Sequence, residues 1–292
     1  MPCPYGTLGT AKPLQAPLGG LPCAPAPVRI ELMPDTIIGV VSDLFFTVRI
    51  EDVARTLGYT VVWARPGSPF ADLLVQHQPA LIIVDIGDQT LPWQGWILRA
   101  KVDPATRRIP VLGFGSHVDT ATRKRALAIG FDEVLPRSRF VADLPELIAR
   151  HARVMRPDEL ALLARQCAEP LPPLAVQGLE QFNRGEYFEA HETLEHAWQA
   201  EAGPVRNLYR AVLQIAVAYH HVTRRNYAGA LKMFRRSRQW FNRLPRATCQ
   251  GIDLAQLRAD AERVEAAVRA LGPERIGDID LTLLKPVNYE RR

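Results

Sequence analysis

Residues 35–156 alternate short apolar, β-branched runs with stretches of helical spacing, and no other feature of the 292-residue chain restricts the fold as tightly. The runs predict strands at 36–42, 59–64, 80–85, 109–114 and 132–135. Helical spacing occupies 46–57, 70–76, 93–102, 120–129 and 140–155. A strand that is apolar throughout has no face left for water, so it belongs to a parallel sheet covered by helices on both sides. Right-handed crossovers then give an α/β doubly wound, five-stranded parallel sheet.

The pattern changes after residue 156. Pro157, Pro170, Pro172 and Pro173 punctuate 157–173, which reads as a linker. Residues 174–272 are helical throughout, with segments at 174–183, 187–202, 205–224, 227–244 and 254–271. Gly185 and Gly203-Pro204 make short breaks, so successive helices pack as antiparallel neighbours in an all-α bundle. Segment 205–224 is apolar nearly all round and is expected to be the most buried helix. Residues 273–292, after Gly272-Pro273, read as an extended tail. Residues 1–34 are rich in Pro and Gly, lack any apolar period and read as disordered, with Met33 an alternative translation start.

Composition narrows the class. No apolar run reaches the roughly 18 residues that a membrane span needs, and the first residues lack the basic start and unbroken apolar core of a secretory signal. Cys3, Cys23, Cys167 and Cys249 lie far apart with no Cys-x-x-Cys spacing. That spacing argues against a zinc ribbon or a disulfide framework and fits a reducing cytoplasm. Net charge is +5. Lys232, Arg235, Arg236, Arg238, Arg243 and Arg246 crowd residues 232–246 around Trp240 and Phe241. Such a strip is either a solvated face whose arginine stems cover apolar surface or a contact for a phosphate backbone. The nearby Glu189, Glu192, Glu195 and Glu201 favour the former.

Asp85 ends the third strand and Asp43 follows the first. Carboxylates at strand C-termini converge in the crevice above a doubly wound sheet, where a divalent ion can neutralise them. With Leu-Ile-Ile-Val-Asp ending at Asp85, Ser42-Asp43 after the first strand, and Asp-Pro-Ala-Thr-Arg-Arg-Ile-Pro-Val at 103–111, the domain resembles the receiver of two-component response regulators. The resemblance implies that Asp85 is the phosphoacceptor position in a pocket with Asp43, Ser116 and Arg137, and that Mg²⁺ binds there weakly. It also exposes departures. The hydroxyl expected after the fourth strand falls on Gly115, with Ser116 next; the phosphate-pairing lysine falls on Arg137; the switching aromatic falls on Val134. Arginine lacks the compact point charge of lysine. These changes imply a pseudo-receiver, with a working phospho-switch the alternative.

The helical half gathers imidazoles, carboxylates and amides on otherwise apolar segments. His191 and Glu195 stand one helical turn apart with Trp198 near the same line, while Glu192 and His196 form a neighbouring line. His-Glu-x-x-Glu is one residue from a zinc-protease motif, and Gln214, His220 or His221 could add ligands for a transition metal. The competing reading is a buried polar network joining His191, Glu195 and Gln214. Both place these three side chains within bonding distance of one another. The run Phe182-Asn183-x-Gly185-x-Tyr187-Phe188-Glu189-x-His191-Glu192-x-x-Glu195-x-x-Trp198, with Gln214, Ala216, His220 and Asn226-x-x-Gly229-Ala230, is similar to the domain of unknown function 309 family. That similarity, over about residues 176–240, implies a bacterial-type all-helical bundle without an established activity. Arg224-Arg225 stands where such proteins often carry a glycine before Asn226.

Together these features indicate a cytoplasmic signalling or regulatory protein of phosphorelay type, a degenerate receiver joined to a helical output or interaction module. Its expected partners are proteins docking on the receiver face, or a second copy of the chain. A metal-dependent enzyme with its site at His191 and Glu195 is the alternative. A nucleic-acid-binding module using residues 232–246 is a third reading.

Overall fold

The computed structural model describes residues 35–290, so the expectation for 1–34 lies outside the described residues. The first domain runs β1 (Thr36–Val40), α1 (Leu44–Thr56), β2 (Thr60–Trp63), α2 (Phe70–His77), β3 (Leu81–Asp85), α3 (Trp93–Val102), β4 (Val111–Gly115), α4 (Thr120–Ile129), β5 (Glu133–Pro136), α5 (Arg137–Ala142) and α6 (Leu144–His151). All strand pairs are parallel and the order is β2-β1-β3-β4-β5, the flavodoxin-like doubly wound arrangement. Side chains of a strand alternate between faces. Ile38, Val40, Ile82 and Val84 therefore pack with Phe70, Leu74, Trp93 and Ile97 on one face. Ile37, Ile83, Leu112 and Phe114 pack with Ile50, Phe140 and Leu147 on the other. The single helix expected at 140–155 is two, because Pro145, in the first turn of α6, cannot donate to the turn before it.

The second domain holds α7 (Pro157–Ala168), α8 (Pro173–Asn183), α9 (Tyr187–Ala200), α10 (Arg206–Thr223), α11 (Tyr227–Phe241), a two-stranded hairpin of β6 (Thr248–Cys249) and β7 (Ile252–Asp253), and α12 (Leu254–Arg275). Helix α10 is its axis, with Tyr209, Ile215 and Tyr219 buried among the neighbours.

Three expectations are corrected here. The supposed linker contains α7, for which Pro157 is a starter rather than a breaker: it occupies the first turn, where its missing N–H goes unused. Glu159 accepts from the Arg156 amide at 3.2 Å to close that end, and Leu163 of α7 is fully buried in the helical core. The supposed tail is not free. After a break at Gly272 (φ 72°) in α12, the chain makes two short turns and returns along the bundle, burying Val287. The Asn183 amide holds it from both sides, accepting from the Val287 N–H at 2.7 Å and donating to its carbonyl at 3.0 Å. Finally, Cys167 of α7 and Cys249 of β6 form a disulfide. Their separation of 82 residues hides the pairing from any spacing rule, because the approach of α7 to the hairpin is a product of bundle packing.

The domains touch along α11. Asn242 donates to the His77 carbonyl at 3.3 Å, and Arg235 lies 3.6 Å from Asp103. No helix among the described residues is long and apolar enough to cross a membrane.

Candidate functional site

The crevice at the C-terminal ends of β1, β3 and β4 holds Asp85, 2% exposed. Both of its oxygens are engaged. Oδ1 accepts from the Gly87 N–H at 2.8 Å, and Oδ2 accepts from Arg137 Nη2 at 2.9 Å. Burial pushes the Asp85 carboxyl up, the Gly87 amide and Arg137 pull it back, and neighbouring Asp88 pushes it up again. The Arg137 guanidinium is itself steadied by the Phe46 ring, 5.5 Å from its centroid. Phe46 rests on Phe114, which stacks on Phe140 at 4.0 Å, so the arginine leans on a packed aromatic column.

The other expected pocket residues take different places. Asp43 caps α1, accepting from the Phe45 N–H at 2.9 Å, and is exposed. Ser116 is exposed in the turn after β4. Gly115 has no room for a hydroxyl-bearing side chain, since a Cβ there would come 2.6 Å from Ile86 Cγ1. Ile86 fills the space that a phosphate-binding hydroxyl would need. Val134 is buried in the sheet core.

Asp88 is the crevice residue that the sequence reading missed. It accepts from the Ser42 N–H at 3.0 Å and from the Thr90 N–H and hydroxyl at 2.8 and 2.6 Å. Burial works against its charge, but those hydrogen bonds outweigh it and hold the carboxyl below the usual range. Its signal was available as a second acid in the turn that leaves β3. Arg137 already supplies a positive charge to Asp85, with which a divalent ion at that oxygen would compete.

In the bundle, the His191–Glu195–Gln214 cluster does not form. His191 Nε2 lies 3.9 Å from Glu195 Oε2, with both side chains partly exposed. Gln214 is buried on α10, and its Oε1 has no partner. The one-turn spacing correctly puts His191 beside Glu195, but the rotation of α10 turns Gln214 into the core instead of toward them. No group of three His, Cys, Asp or Glu side chains among the described residues could hold a metal ion. The histidines sit instead on a partly exposed aromatic edge: Phe188, 52% exposed, has ring centroids 6.4 Å from His191 and 5.8 Å from His220. Glu192 and His196 face solvent. Asn226 serves as the N-cap of α11, accepting from the Gly229 N–H at 2.9 Å while its Nδ2 meets His221 Nδ1 at 3.2 Å. Burial, reinforced by His220 and Lys232, holds His221 below the usual imidazole range.

Trp198 has another role. Arg210 lies between two indoles, 4.5 Å from the Trp198 centroid and 3.8 Å from that of Trp240, with Arg206 5.0 Å from Trp198. The basic strip is equally committed. Arg238 reaches the buried Glu265 at 2.7 Å and Arg235 reaches Asp103, so residues 232–246 do not present one continuous cationic face.

Residues 175–233 match the family described as a domain of unknown function, DUF309. Structural neighbours of the sheet domain are response regulators. One from Thermotoga maritima is 16% identical, covering 40% of this chain and 97% of its own at a TM-score of 0.34. The chemotaxis response regulator CheY4 of Vibrio cholerae is 14% identical, covering 40% and 98% at 0.36. The Mn²⁺-bound form of response regulator Rcp1 is 15% identical, covering 42% and 99% at 0.35. No curated protein sequence matches the chain. The chain thus joins a five-stranded flavodoxin-like α/β domain to a helical domain that is similar, over residues 175–233, to DUF309.

Proposed function

We propose that this chain is a signalling or regulatory protein in which a receiver-like domain has lost phosphoryl switching and serves as a docking module for the helical domain and for protein partners. The observation that carries this reading is the Arg137–Asp85 pair at 2.9 Å, with Ile86 filling the space over Gly115. A phosphoryl donor must reach an Asp85 oxygen that already carries a guanidinium, and the Gly115 position offers no hydroxyl to hydrogen-bond the transferred group. Because the Asp85 side chain is buried while Arg137 is half exposed, withdrawing Arg137 would leave the carboxylate charge uncompensated.

Incubation with acetyl phosphate tests the proposal, with labelling of Asp85 read by mass spectrometry and oligomeric state by light scattering. Wild type is expected to remain unlabelled and unchanged. Mg²⁺ binding, followed by titration calorimetry, is expected to be weak and to strengthen in Arg137→Ala, which frees Asp85. Efficient labelling of wild-type Asp85, accompanied by a change in oligomeric state or partner affinity, would overturn the reading.

A further inference from the structure

A cavity of about 410 Å³ opens at the junction of the two domains, at the end of the sheet opposite Asp85. Thr36, Ala80 and Ile109, which begin or precede β1, β3 and β4, form one wall. The end of α11 forms the other, through Gln239, Trp240 and Arg243. Its volume falls in the range of small-molecule sites, and domain junctions are where such sites concentrate.

Its charge is what calls for an explanation. Arg108, Arg153 and Arg243 come from three separate segments and converge on its lining. Arg153 Nη1 donates to the Arg108 carbonyl at 2.8 Å, which fixes two of the three segments together. Neither Arg108 nor Arg243 has a carboxylate within ion-pair distance among the described residues. All three arginines are exposed residues; packing around the Arg243 guanidinium holds it below its ordinary range, Arg153 and Arg108 push it down further, and Glu159 opposes them. Two acids share the lining, and neither balances the arginines. Glu159 is engaged by the Arg156 backbone and side chain at 3.2 and 3.5 Å. Asp35 is pushed up by burial with no cation to offset it.

The opposite wall adds an aromatic side chain. Trp240, 8% exposed, lines that wall, and its ring carries the additional cation of Arg210, 3.8 Å from its centroid. Like charges that converge on one lining repel one another and attract an anion. Guanidinium forks match phosphate oxygens two at a time, and three of them suit more than one phosphate charge.

We propose that the junction cavity binds a nucleoside diphosphate or a closely similar phosphate-bearing ligand, with Arg108, Arg153 and Arg243 on its phosphates and the Trp240–Gln239 wall beside its base. Such a ligand touches both domains at once, so its binding would set how the receiver-like domain and the bundle are held. The site lies away from Asp85 and does not depend on phosphorylation there.

The test is titration calorimetry on the full chain with ADP, pyrophosphate, inorganic phosphate and adenosine as separate probes. ADP is expected to bind most tightly, pyrophosphate more weakly, and adenosine not measurably. Arg243→Ala and Arg108→Ala are each expected to weaken ADP by roughly tenfold or more, and Arg49→Ala, on α1, to leave it unchanged. Circular dichroism melting of each variant separates loss of binding from loss of folding; because the substitutions relieve like-charge contact, unliganded melting should hold or rise. Failure of ADP to bind at millimolar concentration, equal binding by wild type and Arg243→Ala, or binding of adenosine as tight as that of ADP would overturn the proposal.

Discussion

At the scale of single residues, two backbone positions show how local chemistry shaped this chain. Gly115 faces Ile86 so closely that no larger residue fits, which converts a departure from the receiver pattern into a packing requirement. Arg225 presents the opposite case. It ends the α10–α11 turn with φ 55°, in the left-handed region where a Cβ is unfavourable. The strain in such a conformation is about 1–2 kcal/mol, partly offset by the greater unfolded-state freedom of glycine. Arg225→Gly is therefore expected to raise stability by about 0.5–1 kcal/mol. Urea unfolding checks this, and a variant less stable than wild type would show that the Arg225 side chain contributes more than its backbone costs.

At the scale of elements, the helical domain depends on how its helix ends are closed. Helix α11 ends at Phe241, and Arg258 of α12 gathers its trailing carbonyls, donating to Phe241, Pro245 and Arg246 at 2.8, 3.0 and 2.8 Å. The guanidinium also lies 5.3 Å from the Phe241 centroid. Burial brings Arg258 down to about 10, still well above neutrality, so the cation remains in place. Arg258→Ala leaves several partly buried carbonyls without donors and is expected to cost about 2–3 kcal/mol. Arg258→Lys, which offers a point charge without the fork, is expected to recover only part of that. Thermal unfolding followed at 222 nm measures both, and a neutral Arg258→Ala would mean that water replaces the guanidinium freely.

At the scale of the whole molecule, the Cys167–Cys249 disulfide closes a loop of 82 residues that contains α8 to α11. Closing a long loop removes freedom chiefly from the unfolded chain, and the stabilisation is typically about 2–4 kcal/mol. The oxidised helical domain is expected to melt higher than the reduced one, with Cys249→Ser matching the reduced form. Calorimetry with and without reductant decides it, and superimposable melts would remove the disulfide from the account of stability. How much of this molecule could be read in advance follows from the range of each interaction. Strand and helix positions in the sheet domain, the end-of-strand placement of Asp85 and the buried axis at α10 were legible, because hydrophobic period acts within a few residues. The commitment of Asp43 to the start of α1, the entry of Asp88 into the crevice, the separation of Gln214 from His191, the returning strap held by Asn183 and the disulfide were not. Each depends on which faces meet when helices pack and chain ends fold back, and the rotation of one helix against another is decided by the whole core, far beyond the reach of local spacing.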